Sequence, residues 1–558
     1  MLDFIHIFRC MNQSPNKLLY FFTPILFFFA SCGNDIPDHA GMIDEDAWLL
    51  MTFRPESLIE KSNYEKLMKE GVMSNAPAEA KALITALRLD NPAEAGVDLG
   101  EDVYFFMGGN PDDEKTVKAG VIFALSDVEK FKNTFGTALE LAKKGAGGQI
   151  KVNKSEKEGL TIHSFEGASA LALKLLHDDS KVLFAIGAVD GEKLFKEPND
   201  PDDLPEIFQN HIGRDFELGV AVAIESMMKA VKQSMSSNER EAMETLSSLY
   251  GTGISYELSS DEGEILARAF VETGDEVDFD SMMGDGVPDE MVELVPEGSM
   301  AAVSLSLNLK EIAKIMLPKI RELAKTITGQ VPAEFPTNLD YEIPEQGFTI
   351  NDVLTAVPGD VVAALVDLPS DLTGFKSEMP GFVVAIGHSG KDSDAYEKVF
   401  KGQGIMGLKM LGVGLGLTIS DEDEYFVVKS PGLSSGDSVS GDKSDALSDS
   451  AMGMFVDLKK VSSVIGMFEH GAEEKMLMGA LGNFDLLTFV VHDHESATIK
   501  LVFNDKDEQG FAQATDMILG LIAFQKVAGG NFFGGGRDYE RGDDGPVDSN
   551  QSAEEYKE

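Results

Sequence analysis

"GVDLGEDVYFFMGG", residues 96–109, and "LTAVPGDVVAALVD", residues 354–367, share one layout: an acid and a valine, Asp102-Val103 and Asp360-Val361, lead into an apolar run. The two acids lie 258 residues apart. Downstream, "KAGVIFALSDVEKFKNTF" from Lys118 parallels "MPGFVVAIGHSGKDSDAYEKVF" from Met379, each an apolar run, a polar turn and a helical pattern with an early aromatic. "GLTIHSFEGASALALK" from Gly159 parallels "GLTISDEDEYFVVKS" from Gly416, 257 residues on. "DFELGVAVAIESMMKAV" answers "SAMGMFVDLKKVSSVI", and "GISYELSSDEGEILARAFVE" answers "FDLLTFVVHDHESATIKLVFND". Their spacing is shorter because "EPNDPDDLPEIFQNHIGRD", residues 197–215, has no partner downstream. Upstream, "DAWLLMTFRPESLIEK" from Asp46 answers "GSMAAVSLSLNLKEIAK" from Gly298.

Matched segments in one order read as a tandem duplication. The strand-like runs alternate or are apolar throughout, and short turns such as "SSDEGE" and "HDHESA" join neighbours, so pairing is mainly antiparallel. The expected fold is α+β: two tandem homologous copies of a mainly antiparallel sheet, with helices packed on one face, at 47–283 and 287–529.

The N-terminus reads as an export signal. In "KLLYFFTPILFFFASC" a cation at Lys17 precedes an uncharged apolar stretch, too short for a permanent span, and small residues come before Cys32. "FASC" resembles a bacterial lipobox with Phe29 in place of the usual Leu, so Cys32 is the expected lipidation site and 1–31 the signal peptide. The alternatives are a plain signal peptide or a buried N-terminal helix, and the start is Met1 or Met11. With Cys10 removed and Cys32 acylated, both cysteines are spent, which excludes thiolate catalysis and thiolate metal sites. Residues 32–46 read as a polar tether reaching about 20 Å. Gly33, where an aspartate would resemble an inner-membrane retention signal, favours outer-membrane placement, on either face of that membrane.

Lys plus Arg number 47 against 95 Asp plus Glu, a net charge of −48, while apolar content is 43%. An acidic surface of this kind repels phosphate backbones and excludes nucleic-acid partners. It reads as solubility or adaptation to salt, or else as cation binding. The expected partners are the membrane, through the N-terminal lipid, and another envelope protein.

The lipobox, "WLLMTFRPESLIEKS" (48–62), "LDNPAEAGVDLGEDVYFF" (89–106) and "LTAVPGDVVAALVD" together resemble large lipoproteins of Bacteroidota-type bacteria that carry a domain of unknown function. The resemblance implies a cell-envelope lipoprotein and carries over no activity and no site residue.

Candidate chemistry is sparse. "GLSSG", 432–436, matches the nucleophile-elbow pattern around Ser434, but a low-complexity loop follows where a helix is required. "HDHE" sets His492 and His494 two apart, on one side if extended, where they could share a metal with Glu495 nearby, but no third strong ligand is evident. "DKDEQGFAQATD" places Asp505, Asp507 and Asp516 at loop positions one, three and twelve of a calcium-loop outline, though Asp505 or Asp507 serves equally as a helix N-cap. No cofactor is expected, and Ca2+ is the one possibility to test. "GVGLGL", 412–417, has a phosphate-loop rhythm but runs into another strand. Residues 530–558 read as a disordered glycine-rich, charged tail. The single Trp48 lies in an apolar run rather than on an exposed glycan platform. The expected function is a non-catalytic scaffold or binding lipoprotein. The alternatives are a peptide- or glycan-binding surface lipoprotein and a hydrolase or metal-dependent enzyme.

Overall fold

A computed structural model describes residues 37–528, apart from 111–112, 114, 146–149, 167–170, 233–251, 274–277, 329–335, 337, 344–346, 369–378, 401–411, 413–415, 434–436, 449 and 467–477. The signal segment 1–31, Cys32 and the tail 530–558 lie outside the described residues.

The first half contributes β1 (Ala47–Phe53), β2 (Val103–Gly108), β3 (Lys118–Ala124), β4 (Lys151–Lys157), β5 (Leu160–Glu166), β6 (Leu173–His177), β7 (Lys181–Gly187), β8 (Leu218–Ala223), β9 (Gly253–Asp261) and β10 (Glu264–Glu272). The second contributes β11 (Ala301–Leu305), β12 (Val361–Asp367), β13 (Gly381–Gly387), β14 (Thr418–Asp421), β15 (Tyr425–Lys429), β16 (Met452–Asp457), β17 (Phe484–Val491) and β18 (Ser496–Phe503). All eighteen belong to one open sheet whose pairings are antiparallel throughout. The first half runs β4-β5-β6-β7-β3-β2-β1-β8-β9-β10. The second runs β14-β15-β13-β12-β11-β16-β17-β18. From β6 onward the first order matches the second strand for strand, and β10 pairs with β18 to join them.

The registers sharpen the match. Val103 follows Asp102 and pairs with Phe53; Val361 follows Asp360 and pairs with Leu305. Followed strand by strand from there, Met51 answers Val303, Val220 answers Met454, Tyr256 answers Phe489 and Arg268 answers Thr498. Arg268 and Thr498 are also direct partners across the β10–β18 ladder.

Three expectations are corrected. The "GLTIHSFEG" match is displaced by one hairpin: β15 lies beside β13 as β7 lies beside β3, so "EYFVVKS" corresponds to "KVLFAIG", while among the described residues β4 and β5 have no counterpart in the second half. Helices cover both faces of the first half rather than one. Leu50, Tyr104, Phe106 and Ile122 pack with Met42, Ile43 and Phe208 on the inner face. Their sequence neighbours Phe53, Val103, Val121 and Phe123 pack with Met68, Ile84 and Phe131 on the outer face. Strands apolar on both sides, such as "VYFFMG", require both layers.

The third correction concerns the tether. Asp38–Met42 forms a 3-10 helix, and Ala40, Met42 and Ile43 are wholly buried. Asn199 ties the segment down, its backbone N–H reaching Gly41 O at 2.8 Å and its side chain Ile43 O at 2.7 Å. The apolar letters of "DHAGMI" thus belong to the inner core, and any polar tether is confined to the residues before Pro37.

Close approach explains an otherwise poor strand residue at matching places in the two halves. A Cβ on Gly219 would sit 2.4 Å from His211 Cε1, and one on Gly453 would sit 1.8 Å from Ala446 O. In each case an inner-face segment presses onto the strand, and only glycine leaves room.

Candidate functional site

The outer face opens at the seam. Two cross-strand rows run over it: Met51, Val220, Tyr256, Ala269 and Ala497, then Leu218, Leu258, Ala267, Ile499 and Phe489. Together they line a hollow of about 270 Å³. Its floor is alanine, the residue a strand seldom selects, so the surface sinks between the larger side chains Tyr256 and Phe489. These two aromatics hold matching positions in the two strand orders. Tyr256 is 56% exposed and Ile499 44%, so apolar side chains here meet solvent.

Polar neighbours on the same strands turn the other way. Glu257, between Tyr256 and Leu258, is buried on the inner face, where Arg214 Nη1 reaches it at 3.1 Å and Ser255 Oγ at 3.3 Å. His211 Nδ1 lies 3.6 Å from the same carboxylate, and burial holds this imidazole below its ordinary range, in the neutral form. Arg268, between the floor alanines, donates to Asp215 O at 3.3 Å. The hollow is therefore walled by carbon. Such a wall supplies no acid, base or nucleophile; it favours a ligand that removes apolar surface from water.

A second polar cluster lies beneath β1. Arg54, 1% exposed, pairs with Asp215, donates to Arg214 O and places Nε 3.4 Å from Asp102 Oδ1. Tyr104 donates to Asp102 Oδ2 at 3.3 Å, and His39 Nε2 lies 2.6 Å from Asp102 O. Burial pushes the Asp102 carboxyl up to about 7, against the opposing pull of Arg54. The second half repeats the position with a hydroxyl: Ser306 Oγ donates to Asp360 Oδ1 at 2.7 Å.

The residues singled out from sequence are not brought together. His492 and His494 sit in the turn between β17 and β18 rather than on a strand. His492 Nε2 bonds Thr498 Oγ1 at 3.0 Å, whereas His494 Nδ1 meets Asp280 Oδ1 at 2.6 Å and its ring stacks on Phe279. The turn itself is organised by Asp493, which accepts from the Glu495 N–H and the Ser496 hydroxyl, both at 2.8 Å. Asp505 accepts from the Asp507 backbone N–H at 3.0 Å. The following helix, Gly510–Ala528, begins at what would be loop position six, so neither aspartate is its N-cap and positions six to twelve of the calcium outline are helical. Asp516 lies within that helix and takes Lys66 Nζ on both oxygens at 2.9 Å. Among the described residues no group of three or more His, Cys, Asp or Glu is placed to hold a metal ion. Ser434 lies outside the described residues. Trp48 is buried and donates Nε1–H to Gly109 O at 3.0 Å, a core role. Among the described residues no helix is long and apolar enough to cross a membrane.

No family model matches the chain, and no curated protein matches it. Three solved structures are similar in part: crystal forms I, III and IV of TP0453, at 12%, 15% and 14% identity with TM-scores of 0.25, 0.26 and 0.25. They cover 43%, 44% and 42% of this chain and 80%, 83% and 80% of their own.

Proposed function

We propose that the chain is a non-catalytic cell-envelope lipoprotein, anchored through acylated Cys32, that binds an apolar partner at the seam of its sheet. The observation that carries binding is the carbon-lined hollow between Tyr256 and Phe489, open to solvent on the outer face. Anchoring rests on the apolar stretch before "FASC", on the resemblance to Bacteroidota-type lipoproteins, and on Gly33, which favours the outer membrane. A single acyl chain anchors marginally and several anchor firmly, as expected for a processed lipobox cysteine. The matching strand orders and the paired equivalents Arg268 and Thr498 support descent of the two halves from one duplicated unit.

The test grows cells on labelled palmitate. The wild-type chain takes up label and its mature terminus begins at residue 32, whereas Cys32→Ala takes up none. An unlabelled wild-type protein, or a terminus elsewhere, overturns the anchor.

A further inference from the structure

The hollow itself indicates the chemical class of its occupant. At about 270 Å³ it lies just below the usual range of ligand pockets. A stable protein interface needs roughly 1,200 Å² or more of buried surface with a hydrogen bond for every 100–200 Å². The rows through Ala269 and Ala267 present carbon alone, which suits a slender hydrocarbon better than a peptide. A net charge of −48 repels carboxylate and phosphodiester headgroups that carry net negative charge. Residues 38–43 pack on the inner face, opposite the hollow. Tyr256, half exposed at the rim, has the aromatic body and polar tip that suit a boundary between hydrocarbon and water.

We propose that the hollow takes one acyl chain of a lipid whose headgroup carries no net negative charge, making the protein a carrier of single lipid molecules. This rests on the binding function proposed above and names its ligand. The floor alanines set the depth, and Ile499, which stands where the first half has Ala269, partly closes one end.

The probe is lysophosphatidylethanolamine of increasing acyl length, titrated into the mature full-length protein below its micellar concentration. Each buried CH2 strengthens binding about fourfold until the hollow is full, after which affinity levels off. Lysophosphatidylglycerol of the same length binds at least about tenfold more weakly at low salt, and the gap closes as salt rises. Ala497→Phe, which fills the floor, abolishes binding. Ile499→Ala removes a half-exposed side chain, so it is not expected to disturb folding, and it moves the plateau to a longer chain. Binding without length dependence, a plateau unmoved by Ile499→Ala, or a concentration-dependent dimer that covers this face and resists the lysolipid each overturns the proposal. Palmitate incorporation at Cys32 is read separately: its loss removes the anchor and leaves the titration standing, and the reverse also holds.

Discussion

Ser306 and Asp360 share a 2.7 Å hydrogen bond at the place in the second half where Arg54 faces Asp102 in the first. One position thus carries a neutral and an ionic solution to the same problem, an acid held at the mouth of a central strand. The two differ in what their removal leaves behind. Ser306→Ala deletes one ordinary hydrogen bond and is expected to cost about 1 kcal/mol. Above pH 7, where Asp102 is ionised, Arg54→Ala leaves its charge unpaired and opens space beside Phe216, at a cost of about 3 kcal/mol. Urea unfolding of both variants measures the difference, and equal losses would show that the guanidinium is not needed to balance the buried carboxyl.

Asp102 also sets a pH dependence. Its carboxyl is pushed up to about 7, so between about pH 4 and 7 the folded chain keeps a proton that the unfolded chain has released. The stability from this group is complete below the unfolded value near 4 and is lost as pH rises through 7. Asp102→Asn removes that slope, so the variant gains on the wild type from pH 5 to pH 7.5. Buried His39 and His211, held neutral, give the opposite slope and are present in both proteins, so they drop out of the comparison. A gap that stays constant over the range contradicts the assignment.

Calcium and catalysis are tested together. Because Asp516 is occupied by Lys66 and the helix begins at Gly510, added Ca2+ is expected to leave the melting temperature unchanged, whereas a bound ion raises it. Asp516→Ala is expected to leave stability nearly unchanged, since the ion pair it removes is solvent-exposed. Ser434→Ala, His492→Ala and His494→Ala leave lipid binding unaltered; loss of a measured activity in any of them revives an enzyme.

The buried start of the chain gives the sharpest contrast with a tether. Met42→Ala truncates a wholly buried side chain and is expected to destabilise by about 2–5 kcal/mol in urea unfolding. In a solvated linker the same change costs nothing.

The strand pattern was legible because two-fold alternation and the acid-valine openings at Asp102 and Asp360 repeat in the sequence itself. "DHAGMI" was opaque: three apolar residues among acids resemble a linker, and only the inner-face core reveals their place. The hollow was equally hidden. Its signals, the alanines in "LARAF" and "SATI" beside "SYEL" and "LTFV", look unremarkable until β10 and β18 are known to be neighbours. The histidines misled for the opposite reason: spacing brought them together on paper, while the turn sends each to its own partner.

A ribbon this wide invites polymerisation, since each outermost strand offers unpaired backbone to the next molecule. Joining β10 to β18 consumes two such margins inside a single chain. Among the described residues the sheet ends at β14, which is only four residues long, and at β4, which carries Lys151, Lys154, Glu156 and Lys157 into solvent. Brevity on one side and charge on the other make both margins poor templates for a further strand.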